Sequence, residues 1–339
     1  MSELREAIHR MAEGQHLGAE LMTRAMREIM TGQAEEAQIG GFLMALRIKG
    51  ETPTEIAAAA RVMRELASKV EIDRDGLTDI VGTGGDGASL FNVSTASAFV
   101  AAAAGVRVAK HGNRSVSSKS GAADVLEAAG CRLDLGTGQV AALIDELGVA
   151  FMFAPSHHSA MKHAIGARKA LGVRTLFNLL GPLTNPALAP NQVLGVFSAE
   201  LVRPMAEVMQ TLGARHVLVV HSDDGLDEIS PVVSTTVAEL RDDAIGEYRI
   251  DPSEFGIRID SLDALTVETA ADSLALIESA LGGQSGPAAD MIALNAGAAI
   301  YVAGRTDDLA GGVDLAREVL ADGRGIERLR RYAQRSQGL

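Results

Sequence analysis

Residues 79–99 read DIVGTGGDGASLFNVSTASAF. A short β-branched run ends at Gly82, a loop containing Gly84, Gly85 and Gly87 follows, and Asn92-Val93-Ser94-Thr95 opens an alanine-rich stretch. Strand, glycine loop and helix in that order form the first half of a strand-helix-strand unit, in which glycine lets the backbone turn sharply and approach a ligand closely. Such units build a mostly parallel sheet covered by helices, with active residues in loops at the carboxyl ends of strands.

Outward from this stretch the same alternation continues. VRVA (106–109), VAFMF (149–153), QVLGVF (192–197) and HVLVVH (216–221) are short apolar runs, and the alanine-rich segments between them end at Gly105, Gly130 and Gly213. Toward the N-terminus the period changes. Met22, Met26 and Ile29, then Ile39, Leu43 and Leu46, lie at helical spacing. Thr52-Pro53-Thr54-Glu55 spells a capping box, with proline at the first helical position ahead of Ile56, Ala60 and Met63. The fold class expected is α/β, with a small all-helical domain ahead of a large domain built on a mostly parallel central sheet. Helices of this extent bury too little apolar surface to be secure alone, so they should pack against the larger domain or against a second copy.

Composition narrows the function. The 339 residues carry 31 Lys and Arg against 44 Asp and Glu, a net charge of −13. That balance disfavours nucleic acid and anionic membranes and makes any local basic cluster informative. A single cysteine, Cys131, excludes an internal disulfide framework. With no signal-like N-terminus and no apolar run of roughly 18 residues, a cytoplasmic protein is expected.

Gly82, Gly84 and Gly87 have the spacing of a dinucleotide fingerprint, which usually pairs with an acid about 20 residues on. Here the second strand runs into Lys110, His111, Gly112, Asn113 and Arg114 instead. Cations in place of the acid point to a phosphate-rich ligand. The glycine amides and the helix start at Asn92, Ser94 and Thr95 supply one wall of donors. Lys110, Arg114, Ser115, Ser117, Ser118 and Lys119 supply a second, so two anionic groups are expected. Asp223, Asp224, Asp227 and Glu228 directly follow the apolar run HVLVVH (216–221). Carboxylates facing a polyphosphate repel it unless a divalent cation intervenes, and Mg²⁺ is held by one or two carboxylates plus substrate oxygens. His157, His158 and His163 suggest neither a metal cluster, since Lys162 adjoins them, nor a nucleophilic triad, and Cys131 lacks an activating neighbour.

GTGGDG with FNVSTASAFVAAAAG, KHGNRSVSSKSGAADVLEAAG, HHSAMKHAIGARKALGVRTLFNLLGPLTNP and GLDEIS, in this order across effectively the whole chain, resemble the anthranilate phosphoribosyltransferase family. The resemblance implies transfer of phosphoribosyl from phosphoribosyl pyrophosphate to anthranilate in tryptophan biosynthesis, a fold shared with pyrimidine nucleoside phosphorylases, and a homodimer formed through the helical domain. It implies a helical domain of residues 1–72 joined by about 166–182, and an α/β domain of 73–165 and 183–339. By similarity, Gly82, Gly85, Asp86, Asn92, Ser94, Thr95, Lys110, His111, Gly112, Asn113, Arg114, Ser115, Val116, Ser117, Ser118 and Ala122 would surround phosphoribosyl pyrophosphate. Ser94, Asp227 and Glu228 would hold one or two Mg²⁺ ions. Gly82, Asn113, Arg168 and His158 would bind anthranilate, with His111, Gly181 and Pro182 nearby. The planar fork of Arg168 suits a carboxylate. No general base is assigned, because an arylamine is already neutral at pH 7.

Three positions depart from the family pattern. Leu90 replaces a hydroxyl residue, putting one phosphate or ribose contact in doubt. Ser159 and Gly166 replace prolines, which should loosen the loop expected to carry Arg168. A nucleoside phosphorylase, a dinucleotide-dependent oxidoreductase and a non-catalytic nucleic-acid-binding relative are the alternatives. Thymidine or uridine phosphorolysis would reveal the first, Lys110 disfavours the second, and the retained LDEIS (226–230) with the acidic balance disfavours the third.

Overall fold

The computed structural model describes residues 2–85, 87–114 and 120–339. Four helices come first: α1 (Glu3–Ala12), α2 (Ala19–Met30), α3 (Glu36–Lys49) and α4 (Pro53–Leu66). The capping box at Thr52 forms as its residue types dictate, with the Thr52 amide donating to Glu55 Oε2 at 2.8 Å and the Glu55 amide to Thr52 Oγ1 at 3.3 Å. The same carboxylate does more than cap. Glu55 is fully buried, accepts from the Leu17 amide at 2.7 Å and pairs with Lys49 Nζ at 2.9 Å, so one acid ties together three segments of the helical unit. Its lone pairs are filled, which is the condition under which a buried charge is tolerated.

The sheet has seven strands: β1 (Leu77–Gly82), β2 (Arg107–Gly112), β3 (Val149–Phe153), β4 (Asn191–Gly195), β5 (His216–Ser222), β6 (Thr235–Arg241) and β7 (Ala244–Ile250), in the order β3-β2-β1-β4-β5-β6-β7. The first five pair in parallel. β6 and β7, which the apolar runs above do not include, add antiparallel to the edge. Their turn places Asp242 and Asp243 both at positive φ, a backbone that short polar residues tolerate in tight hairpins. β7 is largely exposed, so it never shows the continuous apolar run by which the five buried strands were recognised.

The crossovers supply α5 (Val93–Ala103), α6 (Ala122–Ala128), α7 (Thr137–Leu147), α8 (Ala154–His157), α9 (Lys162–Leu171), α10 (Leu176–Leu180) and α11 (Val202–Thr211), and the chain beyond β7 supplies α12 (Ala270–Leu281), α13 (Pro287–Val302), α14 (Leu309–Ala321) and α15 (Arg324–Gln337). Helix α13 is buried on every side from Met291 to Val302, and Gly297 lets the α14 backbone at Val313 approach it. One core joins α5, α12, α13, α14 and α15 to a face of the sheet. The other joins α1–α4 to Ala164 and Ala167 of α9, to Leu176, Phe177, Leu179 and Leu180 of α10, and to Leu194, Val217 and Val219 of the sheet. The N-terminal helices therefore bury their stripes against the larger unit, one of the two outcomes their marginal size allowed.

Arg168 and Gly166 lie within helix α9, not in the loop expected from the sequence. A Cβ at Gly166 would meet the carboxylate of the exposed Glu36 side chain on α3, which can swing aside.

Candidate active site

The order β2-β1-β4-β5 brings four strand ends side by side, and the loops that leave them meet. From β1, the Thr83 amide donates to the Gly195 carbonyl at 2.9 Å, and the Gly84 amide donates to Asp227 Oδ2 at 2.7 Å. The glycine loop and the acidic loop are thus in direct contact. Gly84, Gly85 and Gly87 all have positive φ, which only glycine adopts without strain.

The four acids after β5 divide their work. Asp224 accepts from Ser222 Oγ at 2.6 Å and Ser230 Oγ at 2.7 Å, and Asp223 pairs with Arg249 on β7; both shape the turn. Asp227 and Glu228 stand near Lys110, on which their charge acts. Lys110 is buried and donates from Nζ to the Ile80 carbonyl at 2.6 Å and to Ser94 Oγ at 3.0 Å. Burial lowers its pKa, opposed by Asp79, Glu228 and Asp227. Asp79, on β1 beneath it, is fully buried and accepts from the His111 amide at 3.1 Å and from Asn185 Nδ2 at 2.7 Å. Its pKa is raised, because burial outweighs Lys110 and these donors. Gly82, Gly84, Ser94, Lys110, Asp227 and Glu228 thereby belong to one centre. Asn92 lies just ahead of α5, with Thr95 Oγ1 donating to its side chain.

A second group lies next to it. The rings of His111 and His158 meet edge to face at 5.1 Å. His111 Nε2 and both ring nitrogens of His158 make no hydrogen bond of normal geometry, with the main chain at Gly181 and Thr184 alongside. Arg168 stacks over Phe177 at 5.2 Å, and burial lowers its pKa. Phe177 belongs to α10, which runs directly into Gly181, so Arg168 and the histidine pair share one wall. Pro182 follows, its carbonyl accepting from Gln192 Nε2 at 2.8 Å. Gly112 closes β2 and Asn113 follows it, with the Asn113 side chain accepting from the Arg114 amide at 2.8 Å. Ala122 opens α6.

Arg114 turns its guanidinium to Asp124 at 3.0 Å and Glu127 at 2.5 Å on α6, away from the glycine loop. Leu90 bridges to Thr266 and packs on the α/β core, an apolar use of a position where a hydroxyl was expected. His163 packs over Gly32 of the helical unit, apart from the other histidines. Asp86, Ser115, Val116, Ser117, Ser118 and Lys119 lie outside the described residues.

Three residues that the sequence did not single out shape the centre. Asn185 joins Asp79 to the Ala109 carbonyl, which it reaches at 2.8 Å. Gly195 underlies Asp227. Its one signal is a glycine inside an apolar run, which marks a close backbone approach. The third is Arg174.

Burial holds the histidines neutral. His158 falls to about 4, His111 lies well below its ordinary value, and His157 is lowered while its Nδ1 faces the Ser68 carbonyl at 2.9 Å. Groups with depressed imidazole pKa favour the folded state fully above about pH 6.5 and lose that contribution as pH falls, because the unfolded chain takes up protons that the folded chain refuses. For His158 the loss should come to about 1.5 kcal/mol between pH 6.5 and 5. Urea midpoints should fall over that interval, with a shallower fall in His158→Asn; parallel curves for the two proteins would contradict this.

Two family models match the chain: the helical bundle domain of a glycosyl transferase family over residues 5–67, and the a/b domain of the same family over residues 74–326. The anthranilate phosphoribosyltransferase of Cellvibrio japonicus is 58% identical over 341 residues, covering 99% of each chain. That of Chromohalobacter salexigens is 58% identical over 98% of this chain and 96% of its own. The chain belongs to the anthranilate phosphoribosyltransferase family. The crystal structure of the Thermus thermophilus member superposes with a TM-score of 0.93 at 47% identity, covering 99% of this chain and 100% of that one. The Saccharomyces cerevisiae member, in complex with phosphoribosyl pyrophosphate and Mg, superposes with a TM-score of 0.90 at 27% identity, over 99% of this chain and 98% of that one.

The donor set fits such an ion. Among the described residues no group of three or more His, Cys, Asp or Glu side chains could cage a metal. A carboxylate pair and a serine hydroxyl are instead what Mg²⁺ needs when substrate oxygens complete its shell. No helix of the described residues is long and apolar enough to cross a membrane.

Proposed function

We propose that this chain transfers the phosphoribosyl group of phosphoribosyl pyrophosphate to the amine of anthranilate, giving N-(5-phosphoribosyl)anthranilate and pyrophosphate, in tryptophan biosynthesis. Family membership supports the reaction class, and one contact carries the site: the Gly84 amide on the Asp227 carboxylate, next to Lys110 and Ser94.

In this reading the amides of the glycine loop, the start of α5, Lys110 and the loop beyond Asn113 receive the diphosphate. Asp227, Glu228 and Ser94 are the residues that would hold Mg²⁺, which when bound neutralises charge on the departing pyrophosphate. One or two ions suit the two carboxylates. Lys110, fixed by Ile80 and Ser94, presents a cation to the same developing charge without needing to reorganise, the condition under which electrostatic stabilisation is most effective. Arg168 and Asn113 orient the anthranilate carboxylate so that its nitrogen faces the ribose C1. His111 and His158, held neutral by burial, border the aromatic ring without acting as strong bases. The amine lone pair is already available, so positioning and electrostatics supply most of the acceleration.

The helical domain proposed is 1–72 with 166–182, the α/β domain 73–165 with 183–339. Association through the helical domain into a homodimer is favoured by Ile48, Ile165 and Val173, large apolar side chains 80%, 42% and 44% exposed on or beside α3 and α9. The lone buried Cys131 and the acidic balance suit the cytoplasm.

The test uses the fluorescence of anthranilate. It should disappear when protein, phosphoribosyl pyrophosphate and Mg²⁺ are all present, and persist when any one is omitted or the metal is chelated. Persistence with all components present would remove the proposal.

A further inference from the structure

Three successive residues of the glycine loop are held by three different parts of the molecule. Thr83 is held by β4 through the Gly195 carbonyl at 2.9 Å, and Gly84 by Asp227 of the acidic loop at 2.7 Å. Gly85 is held from the other side of the cleft, where Arg174 Nη2 donates to its carbonyl. The Arg174 guanidinium also lies over the Phe197 ring, 4.3 Å from its centre. Phe197 is itself tied to the loop, its amide donating to Thr83 Oγ1 at 3.1 Å. The carbonyl of Arg174 accepts from Arg47 on α3. Gly85 has φ +84°, a backbone that favours glycine, and a Cβ there would lie 2.9 Å from Arg174 Nη2.

Arg174 stands in the short segment between α9, which carries Arg168, and α10, which carries Phe177. Ahead of it Gly172 ends α9 in the left-handed conformation, so the segment leaves the helix at a sharp angle toward the loop. The remaining grips on the loop come from the sheet and its loops. Arg174 alone among these contacts links it to the helical side, where the acceptor-binding wall is built.

We propose that Arg174 is a positioning residue for the diphosphate donor: it sets the Gly85 peptide and braces the glycine loop against Phe197, so that the loop amides are aligned before phosphoribosyl pyrophosphate arrives. This rests on the proposed function. A planar guanidinium is required, because only it can stack on Phe197 and donate sideways to a carbonyl at once. The side chain touches no reacting atom, so its loss should act on donor affinity and leave the chemical step nearly intact.

In Arg174→Ala the KM for phosphoribosyl pyrophosphate should rise about tenfold, as expected for loss of one charged hydrogen bond and a stacking contact, with kcat within threefold of the unsubstituted protein. Binding of inorganic pyrophosphate with Mg²⁺, followed by calorimetry without turnover, should weaken by a similar factor. Arg174→Lys should lie between, keeping the charge and losing the stack. Arg174→Gln serves if the alanine protein is poorly folded, and thermal denaturation of each variant shows whether it is. Pyrophosphate affinity within twofold of the unsubstituted protein in a folded variant would overturn the proposal, as would a fall in kcat with KM unchanged. An unsubstituted protein that binds pyrophosphate but does not consume anthranilate would overturn the reaction while leaving the loop brace to the same calorimetry.

Discussion

Gly195→Ala should lower anthranilate consumption at least a hundredfold, although glycine contributes no functional group. Strand β4 is buried throughout and flanked by β1 and β5, with Gly195 in register with Gly82 on one side and Val220 on the other. A Cβ on Gly195 would overlap the main-chain carbonyl of Asp227 and lie 3.0 Å from its Cβ. The obstacle is backbone, which cannot swing aside as a side chain would. The acidic loop must lift away from the sheet, carrying Asp227 and Glu228 with it. A displacement of about 1 Å in a positioning group costs on the order of a hundredfold in rate. Asp227→Asn with Glu228→Gln, which leaves the backbone alone, should lose about a hundredfold to a thousandfold by removing the charges themselves. Gly246→Ala on the exposed edge strand, where an added methyl meets nothing, is the control and should be indistinguishable from the unsubstituted protein. Activity within threefold in folded Gly195→Ala would show that the seat of the acid pair does not matter.

Asp79→Ala should cost about 3 to 5 kcal/mol of folding stability, measured by urea denaturation at pH 7. The carboxylate lies at the centre of the sheet and satisfies the His111 amide and Asn185 Nδ2 while standing near the buried Lys110 ammonium. Its removal leaves two donors and one cation in a region that water does not reach, and the cost is theirs as much as the lost attraction. A buried charge without its partner is worse than no charge. Part of the loss should therefore return in the double variant Asp79→Ala with Lys110→Met, even though that protein should be inactive. Equal destabilisation in the single and double variants would mean that Lys110 draws nothing from Asp79.

These two residues also show where reading a sequence stops. Asp79 begins the quoted stretch, yet its neighbours suggest only a strand. That its charge acts on Lys110 depends on β2 lying beside β1, and its bond to Asn185 on a residue 106 positions away. The four acids after β5 are alike as a string of letters. Ser222, Ser230 and Arg249 engage Asp223 and Asp224, whereas Asp227 accepts from the Gly84 amide and acts with Glu228 on the charge of Lys110. Only those contacts tell the two pairs apart. Arg168, expected on a loop loosened by Ser159 and Gly166, lies instead within helix α9, which buries Ala164 and Ala167 in the core of the helical bundle.

Local chemistry was legible without coordinates. The capping box at Thr52, the glycine loop after β1, the cations after β2 and the helix starts each follow from residues within a few positions of one another, whose hydrogen bonds and dihedral preferences are short-ranged. Tertiary structure alone decided the rest: the edge strands β6 and β7, the seat of Asp227 on Gly195, and the brace from Arg174 to Gly85. Gly84 and Asp227 are 143 residues apart in the chain and share a hydrogen bond. They meet because strand order places the ends of β1, β4 and β5 together, and that order is set by which apolar faces bury one another across the whole sheet.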